Sequence, residues 1–211
     1  MIEVCEIFAS LSGEGAWTGW PAVFVRLSGC NLRCKWCDTA YARQAGTTYR
    51  MSDLLAEVDG FGLPRVVVTG GEPLLQKQTP RLLERLLSRQ YKAALETNGS
   101  LPLDAVPQGV HIVMDLKPPS SGHADANLWQ NLGRLDVHDE LKVVIACRSD
   151  LDWLMRTLNA HRDEIACRVS VQPAYGRLSA VRLADWVLAG KLPVRFGIQL
   201  HKHLWGRDTR R

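Results

Sequence analysis

Hydrophobic positions along the chain follow two periods. Residues 22–27, 65–69, 93–97, 111–116, 140–145, 168–172 and 194–200 form short runs rich in β-branched side chains and read as strands. Several are almost continuously apolar, as in Val66-Val67-Val68 and Val143-Val144-Ile145, the pattern of strands buried on both faces. Between them, residues 52–58, 79–90, 150–161 and 180–188 show helical spacing. The second of these places Leu82, Leu83, Leu86 and Leu87 on one stripe, with Pro80 in the first turn. Strands alternating with helices predict an α/β fold around a parallel sheet with right-handed crossovers. Residues 117–132, rich in Pro, Ser, Gly, Asn and His, read as a loop. No repeat or low-complexity linker interrupts the pattern, so residues 1–211 are expected to form one domain ending in a short tail, residues 205–211.

Polar residues of chemical interest collect just after these strands. Residues 29–37 follow the first, Gly70-Gly71-Glu72-Pro73 the second, Asn98-Gly99 the third and Lys117-Pro118-Pro119 the fourth. Gln172-Pro173 follows the sixth and His201-Lys202 the last. Ligands of parallel sheets gather at the carboxyl ends of the strands, so one shared site is expected there.

Composition narrows the function classes. Charged residues make up 23% of the chain and hydrophobic residues 46%, as in ordinary globular proteins. No 18-residue apolar run is present, which argues against a membrane span. The first residues lack a basic, then apolar, leader, so the cytoplasm is the expected compartment. The net charge of +4 is small, and the basic cluster Arg207, Arg210 and Arg211 at the end reads as a solvated tail, so no nucleic-acid groove is expected.

Six cysteines change the picture more. Cys30, Cys34 and Cys37 lie in a C-x3-C-x2-C spacing, whereas Cys5, Cys147 and Cys167 are far apart and read as small apolar side chains. Three thiolates from one short loop can hold three irons of a [4Fe–4S] cubane and leave the fourth iron open. The alternative is a structural zinc site, which needs a fourth ligand from Cys5, Cys147, Cys167 or a histidine and usually presents C-x2-C pairs. His201 and His203 alternate along an extended run and read as strand residues rather than a second metal site.

The spacing, with Trp36 just before the third cysteine, resembles the radical S-adenosylmethionine (SAM) superfamily, and Gly70-Gly71-Glu72-Pro73 resembles that superfamily's segment contacting the SAM amino group. Glycines let a backbone approach a ligand closely, and strand-end carbonyls together with Glu72 can accept from an ammonium. Leu11-Ser12-Gly13-Glu14-Gly15, Cys37-Asp38-Thr39, Glu96-Thr97-Asn98-Gly99 and Gln199-Leu200-His201-Lys202 resemble segments of the 7-carboxy-7-deazaguanine synthases. Ser12 departs from the Gln usual in that family, and the tail beyond Trp205 is longer than its usual ending.

The resemblance implies a reduced, partial β/α barrel, a [4Fe–4S] cluster, SAM and Mg²⁺, a homodimer, and an electron donor such as flavodoxin or ferredoxin. It implies conversion of 6-carboxy-5,6,7,8-tetrahydropterin to 7-carboxy-7-deazaguanine with loss of ammonia, a step toward queuosine. By the same resemblance, Trp36, Cys37, Asp38, Gly71, Glu72, Asp115, Lys117 and Gln172 are expected at SAM, and Thr39 at Mg²⁺. Leu11, Ser12, Gly13, Glu14, Arg26 and Thr69 are expected at the substrate, with Arg26 clamping its carboxylate and Glu14 accepting from pterin N–H groups. A glycyl-radical activase is the alternative within the superfamily, and a non-enzymatic iron–sulfur electron carrier the alternative outside it.

Overall fold

The computed structural model describes Met1–Gly206, so Arg207, Arg210, Arg211 and the rest of the tail beyond Gly206 lie outside the described residues. The strands are β1 (Ile2–Leu11), β2 (Pro21–Leu27), β3 (Thr47–Tyr49), β4 (Arg65–Gly70), β5 (Lys92–Thr97), β6 (His111–Asp115), β7 (Glu140–Ile145), β8 (Arg168–Pro173) and β9 (Arg195–Phe196). The helices are α1 (Met51–Gly60), α2 (Thr79–Ser88), α3 (Arg148–Ala160), α4 (Ala180–Ala189) and α5 (Leu200–Trp205). Among the described residues the strands form one sheet in the order β3-β1-β2-β4-β5-β6-β7-β8-β9. Pairing is parallel from β2 through to β9, while β1 runs antiparallel to both β2 and β3. The result is a mixed α/β domain whose parallel sheet stays open rather than closing into a full barrel. No helix among the described residues is long and apolar enough to cross a membrane.

Side-chain parity along the parallel strands positions the site. Val23, Val25 and Leu27 of β2, Val66 and Val68 of β4, Leu95 of β5, and Leu141, Val143 and Ile145 of β7 pack in one core with Leu54, Leu83, Leu86, Leu154 and Leu183 of the helices. The alternate residues face the other way. Low on that inner face, Ala22, Val67 and Ala94 form a small apolar plug with Trp17 and Phe24. Toward the carboxyl ends the inner face turns polar, through Arg26, Thr69, Glu96, Asp115, Lys142 and Gln172. The near-continuous apolar runs therefore reflect one face against the helices and an apolar floor on the other.

Two expectations need correction. Residues 194–200 were expected as a strand, but only Arg195–Phe196 pairs, and α5 begins at Leu200. Val194, Phe196, Ile198 and Leu200 alternate like a strand, yet the Leu200 amide donates to Gly13 O (2.9 Å) and not to a ladder partner. His201 and His203 therefore lie on a helix, where residues two apart do not share a face. Second, β1 was not expected at all; a bulge between Val4 and Glu6 breaks its alternation, so no single period of two runs through it. Residues 117–132 form the expected loop, organised by the 3₁₀ turns Pro119–Ser121 and Ala124–Ala126 and the start of Trp129–Arg134. Asn127 fastens this segment by accepting from Lys117 N (2.8 Å) and donating to the carbonyls of Lys117 (2.8 Å) and Ala124 (2.9 Å).

Candidate active site

At the end of β2 the chain reverses at Gly29, whose φ of 91° suits glycine, and enters the cysteine loop. The next strand end packs directly beneath it. Gly71 N donates to Leu27 O (3.2 Å) and Glu72 N to Gly29 O (2.8 Å). A Cβ on Gly71 would sit 2.1 Å from Gly29 O and 2.8 Å from Cys30 Cβ, so only glycine allows this approach. The loop is braced on its other side by the segment after β6: Lys35 N donates to Ser121 O (3.3 Å) and Arg33 N to His123 Nε2 (2.9 Å). Arg177 adds a bond to Lys35 O (3.0 Å) and lies over the Trp36 ring.

Cys30, Cys34 and Cys37 are free thiols that line one cavity of ≈ 250 Å³. Burial raises the Cys34 pKa; Lys117 opposes the rise, while Asp115, Cys37 and Cys30 add to it, so these five groups share one electrostatic environment. Lys117 Nζ lies 3.1 Å from Asp115 Oδ2, and Lys142 Nζ 3.4 Å from the same oxygen.

In the same cavity, the carboxylate of Glu14 collects donors from three distant parts of the chain. Its Oε2 accepts from Lys142 Nζ of β7 (2.7 Å) and Gln172 Nε2 of β8 (2.8 Å), and its Oε1 from Gln199 Nε2 before α5 (2.5 Å). Burial alone would raise its pKa, but the charge and hydrogen bond of Lys142, with the Gln199 bond, outweigh burial and the repulsion of Asp38 and hold it at about 2. Lys142 is held charged in turn: burial lowers its pKa, while Glu14, Asp115 and Glu96 carry it well above the ordinary lysine value. Glu96 accepts from Thr69 Oγ1 (2.8 Å) and titrates high, because burial outweighs the pull of Lys142. Asp38, beside the third cysteine, is bonded by Lys202 Nζ (2.5 Å), Gln199 Nε2 (3.2 Å) and Thr39 Oγ1 (3.0 Å). Burial opposes ionisation there, but Lys202 and those bonds keep the Asp38 pKa below the usual range.

Most residues expected in the site line this one cavity: Leu11, Gly13, Glu14, Arg26, Trp36, Asp38, Thr39, Thr69, Gly71, Asp115, Lys117 and Gln172 join the three cysteines there. Two do not. Glu72, expected to accept from the SAM ammonium, is fully buried and already accepts from Leu74 N (2.9 Å), Thr97 Oγ1 (2.9 Å) and Asn98 N (2.7 Å). It fastens the end of β4 to the end of β5. Ser12 is likewise buried and donates to Glu14 O (3.3 Å). Gln172, grouped by resemblance with SAM, bonds Glu14 and thus reaches the residues grouped with the substrate. Arg26 Nε donates to Glu6 Oε1 (2.7 Å), which also accepts from Tyr41 Oη (2.8 Å), so one edge of the guanidinium is fixed.

Glu96, Lys142, Gln199 and Lys202 are among the lining residues that were given no role in the expected set. A lysine inside Leu141-Lys142-Val143 was the most legible of them, because an isolated charge in an apolar strand demands a partner.

The cysteines suit a multi-iron cluster. Among the described residues no three His, Cys, Asp or Glu side chains gather tightly enough for a single ion. Three thiols from one loop that line one cavity are the donor set of a cubane, in which each thiolate binds a different iron. The cavity also fits a hydroxyl-bearing ligand: Asp115 Oδ1 is buried and has no hydrogen-bond partner among the described residues, although Oδ2 of the same carboxylate is paired.

Comparison with known proteins agrees with this geometry. The Radical SAM superfamily profile matches residues 24–116. The chain is 40% identical to the 7-carboxy-7-deazaguanine synthase of Chlorobaculum tepidum, over 99% of this chain and 96% of the relative. It is 37% identical to that of Koribacter versatilis, over 99% of each. The crystal structure of QueE from Escherichia coli superposes with a TM-score of 0.76 at 25% identity, covering 95% of this chain and 94% of the other. SAM-bound SuiB of Streptococcus suis shares the fold alone, with a TM-score of 0.57 at 15% identity over 81% of this chain.

The Glu14 network sets an acid limit. Because the folded pKa is depressed from 4.5 to about 2, the stabilisation is fully present above pH 4.5 and is lost as pH falls through about 2. It amounts to on the order of 3 kcal/mol. Urea unfolding of wild type and Glu14→Gln between pH 7 and pH 2 should show the difference in stability shrinking across that window; a constant difference would mean that Glu14 is not ionised in the fold.

Proposed function

The chain belongs to the 7-carboxy-7-deazaguanine synthases of the radical SAM superfamily, and from that premise we propose how its own residues divide the work. The enzyme is a radical SAM lyase that converts 6-carboxy-5,6,7,8-tetrahydropterin to 7-carboxy-7-deazaguanine with loss of ammonia, in queuosine biosynthesis. The observation that carries the assignment of roles is the polar inner face, which brings the three thiols and the Glu14 set into one cavity.

Cys30, Cys34 and Cys37 hold the [4Fe–4S] cluster, and no spare thiol lies in the loop. When bound, the cluster and SAM together supply electron transfer and hydrogen-atom abstraction. Beside the cysteine loop, Asp115 would offer its unpartnered Oδ1 to a hydroxyl of SAM, with Lys117 and Lys142 paired to Oδ2 of the same carboxylate. Trp36 and Asp38 border the same ligand from the cysteine loop. At the substrate, the terminal nitrogens of Arg26 clamp the carboxylate, the plane of the fork being set by the bond from Nε to Glu6. Glu14 faces the pterin N–H edge. Lys142, Gln172 and Gln199 hold that carboxylate in place. Thr69 borders substrate with its hydroxyl committed to Glu96.

Mg²⁺ is assigned to Thr39. The ion keeps several waters and needs near-octahedral oxygens, so one hydroxyl serves only as part of a shell completed by substrate and water. Asp38 is a poorer candidate because Lys202 already occupies one of its oxygens. Family resemblance supports a homodimer in the cytoplasm, and the single-electron requirement supports a flavodoxin or ferredoxin as donor.

Anaerobically reconstituted protein, given SAM, reductant and the carboxytetrahydropterin, should yield the deazaguanine product by mass spectrometry. Alanine at Cys30, Cys34 or Cys37 should abolish product and deplete iron, whereas alanine at Cys5, Cys147 or Cys167 should leave iron intact. Loss of the cluster from one of the latter three would overturn the three-thiolate assignment.

For the ion, a Mg²⁺ titration of turnover should lose its stimulation in Thr39→Ala at unchanged iron content. The same midpoint as wild type would place the ion elsewhere.

A further inference from the structure

A closed ring of hydrogen bonds lies beside Cys30 that neither the substrate wall nor the Asp115 set uses. Asn31 Nδ2 donates to Ser100 Oγ (2.8 Å), and Ser100 Oγ donates to Asn98 Oδ1 (2.6 Å). Asn98 Nδ2 completes the ring by donating to Asn31 Oδ1 (3.1 Å). The backbone amide of Ser100 also donates to Asn98 Oδ1 (2.9 Å). Two donors on that oxygen fix which way the amide points, since turning it over would set Asn98 Nδ2 against Ser100 N–H. The second N–H of the same nitrogen is thereby aimed at Cys30 Sγ, 3.9 Å away. The backbone of Asn98 is equally constrained: its N–H donates to the buried carboxylate of Glu72 (2.7 Å). The side chain itself is only 7% exposed.

We propose that Asn98 is a tuning residue of the iron–sulfur centre, donating a hydrogen bond to the Cys30 sulfur and raising the reduction potential of the cluster that sulfur holds. The inference rests on the assignment of Cys30 as a cluster ligand. One-electron reduction adds negative charge to the cluster, part of it on the sulfurs. A donor aimed at one sulfur therefore stabilises the reduced state more than the oxidised state, and hydrogen bonds to sulfur are a recognised control of cluster potential. The ring through Asn31 and Ser100 positions that donor, and Glu72 positions its backbone. The fully buried carboxylate thus acts on the cluster at one remove, through Asn98, without contacting a ligand in the cavity.

The test is an EPR-monitored redox titration of reconstituted wild type, Asn98→Ala and Ser100→Ala, each with iron content measured. Asn98→Ala should make reduction about tenfold less favourable, a fall of roughly 59 mV for a one-electron couple. Ser100→Ala removes one anchor of the amide but keeps the backbone N–H, so its potential should fall in the same direction by less. Unchanged or raised potentials in both variants at full iron content would overturn the proposal, because a purely structural ring would alter stability and iron retention but not potential. Should Asn98→Ala fail to keep its cluster, Ser100→Ala decides alone, since the bonds of Ser100 go to Asn31 and Asn98. Absence of a cluster in wild type would instead contradict the ligand assignment itself.

Discussion

A buried carboxylate cannot be left alone, and the need to neutralise Glu14 organises the site. It lies in the turn after β1, and its partners come from β7, β8 and the segment before α5. Both ends of the chain and the far side of the sheet converge on one charge. From there the network extends in two directions. Gln199 and Lys202 carry it to Asp38 beside Cys37, and Lys142 carries it to Asp115 and Lys117 near Cys34. Glu14, Lys142, Asp115 and Lys117 are mostly buried, where a single unpaired charge would cost several kcal/mol, whereas Asp38 at the end of the network is 43% exposed. Removing one member therefore exposes the others to that cost.

The parallel sheet makes such a concentration of charge tolerable by separating two tasks on alternate residues. One set of side chains meets the helices and is apolar throughout, supplying most of the burial. The other set can then be chosen for chemistry, with Ala22, Val67 and Ala94 sealing the floor beneath the polar layer. Antiparallel β1 extends this inner face with Glu6, which fixes Arg26. The bulge that hides β1 from a period-two reading also turns Glu6 toward Arg26.

The parallel strands and four main helices were legible because their periodicity is strong and local. The cysteine loop and the strand-end segments were legible because their spacing is dictated by chemistry. What escaped depends on pairing across the fold. Glu72 looks like an available acceptor in sequence, yet three donors from the ends of β4 and β5 consume it. Residues 194–200 alternate like a strand, but the backbone is claimed by Gly13 and by α5. Gly13 admits His201 so closely that a Cβ there would lie 2.1 Å from the ring nitrogen, a contact between residues almost two hundred positions apart. Lys202 was flagged by its segment but given no role, because its partner Asp38 lies in the cysteine loop.

Hydrogen–deuterium exchange on wild type and Glu14→Gln at neutral pH tests most directly whether one carboxylate holds these segments together. The substitution keeps the shape and removes the charge that Lys142 and Gln199 answer. Amides of residues 11–15 and 199–205 should lose protection together, while those of β4, β5 and β7 keep theirs. Unchanged protection across residues 199–205 would contradict the central role given to Glu14, and would leave α5 held by its other contacts.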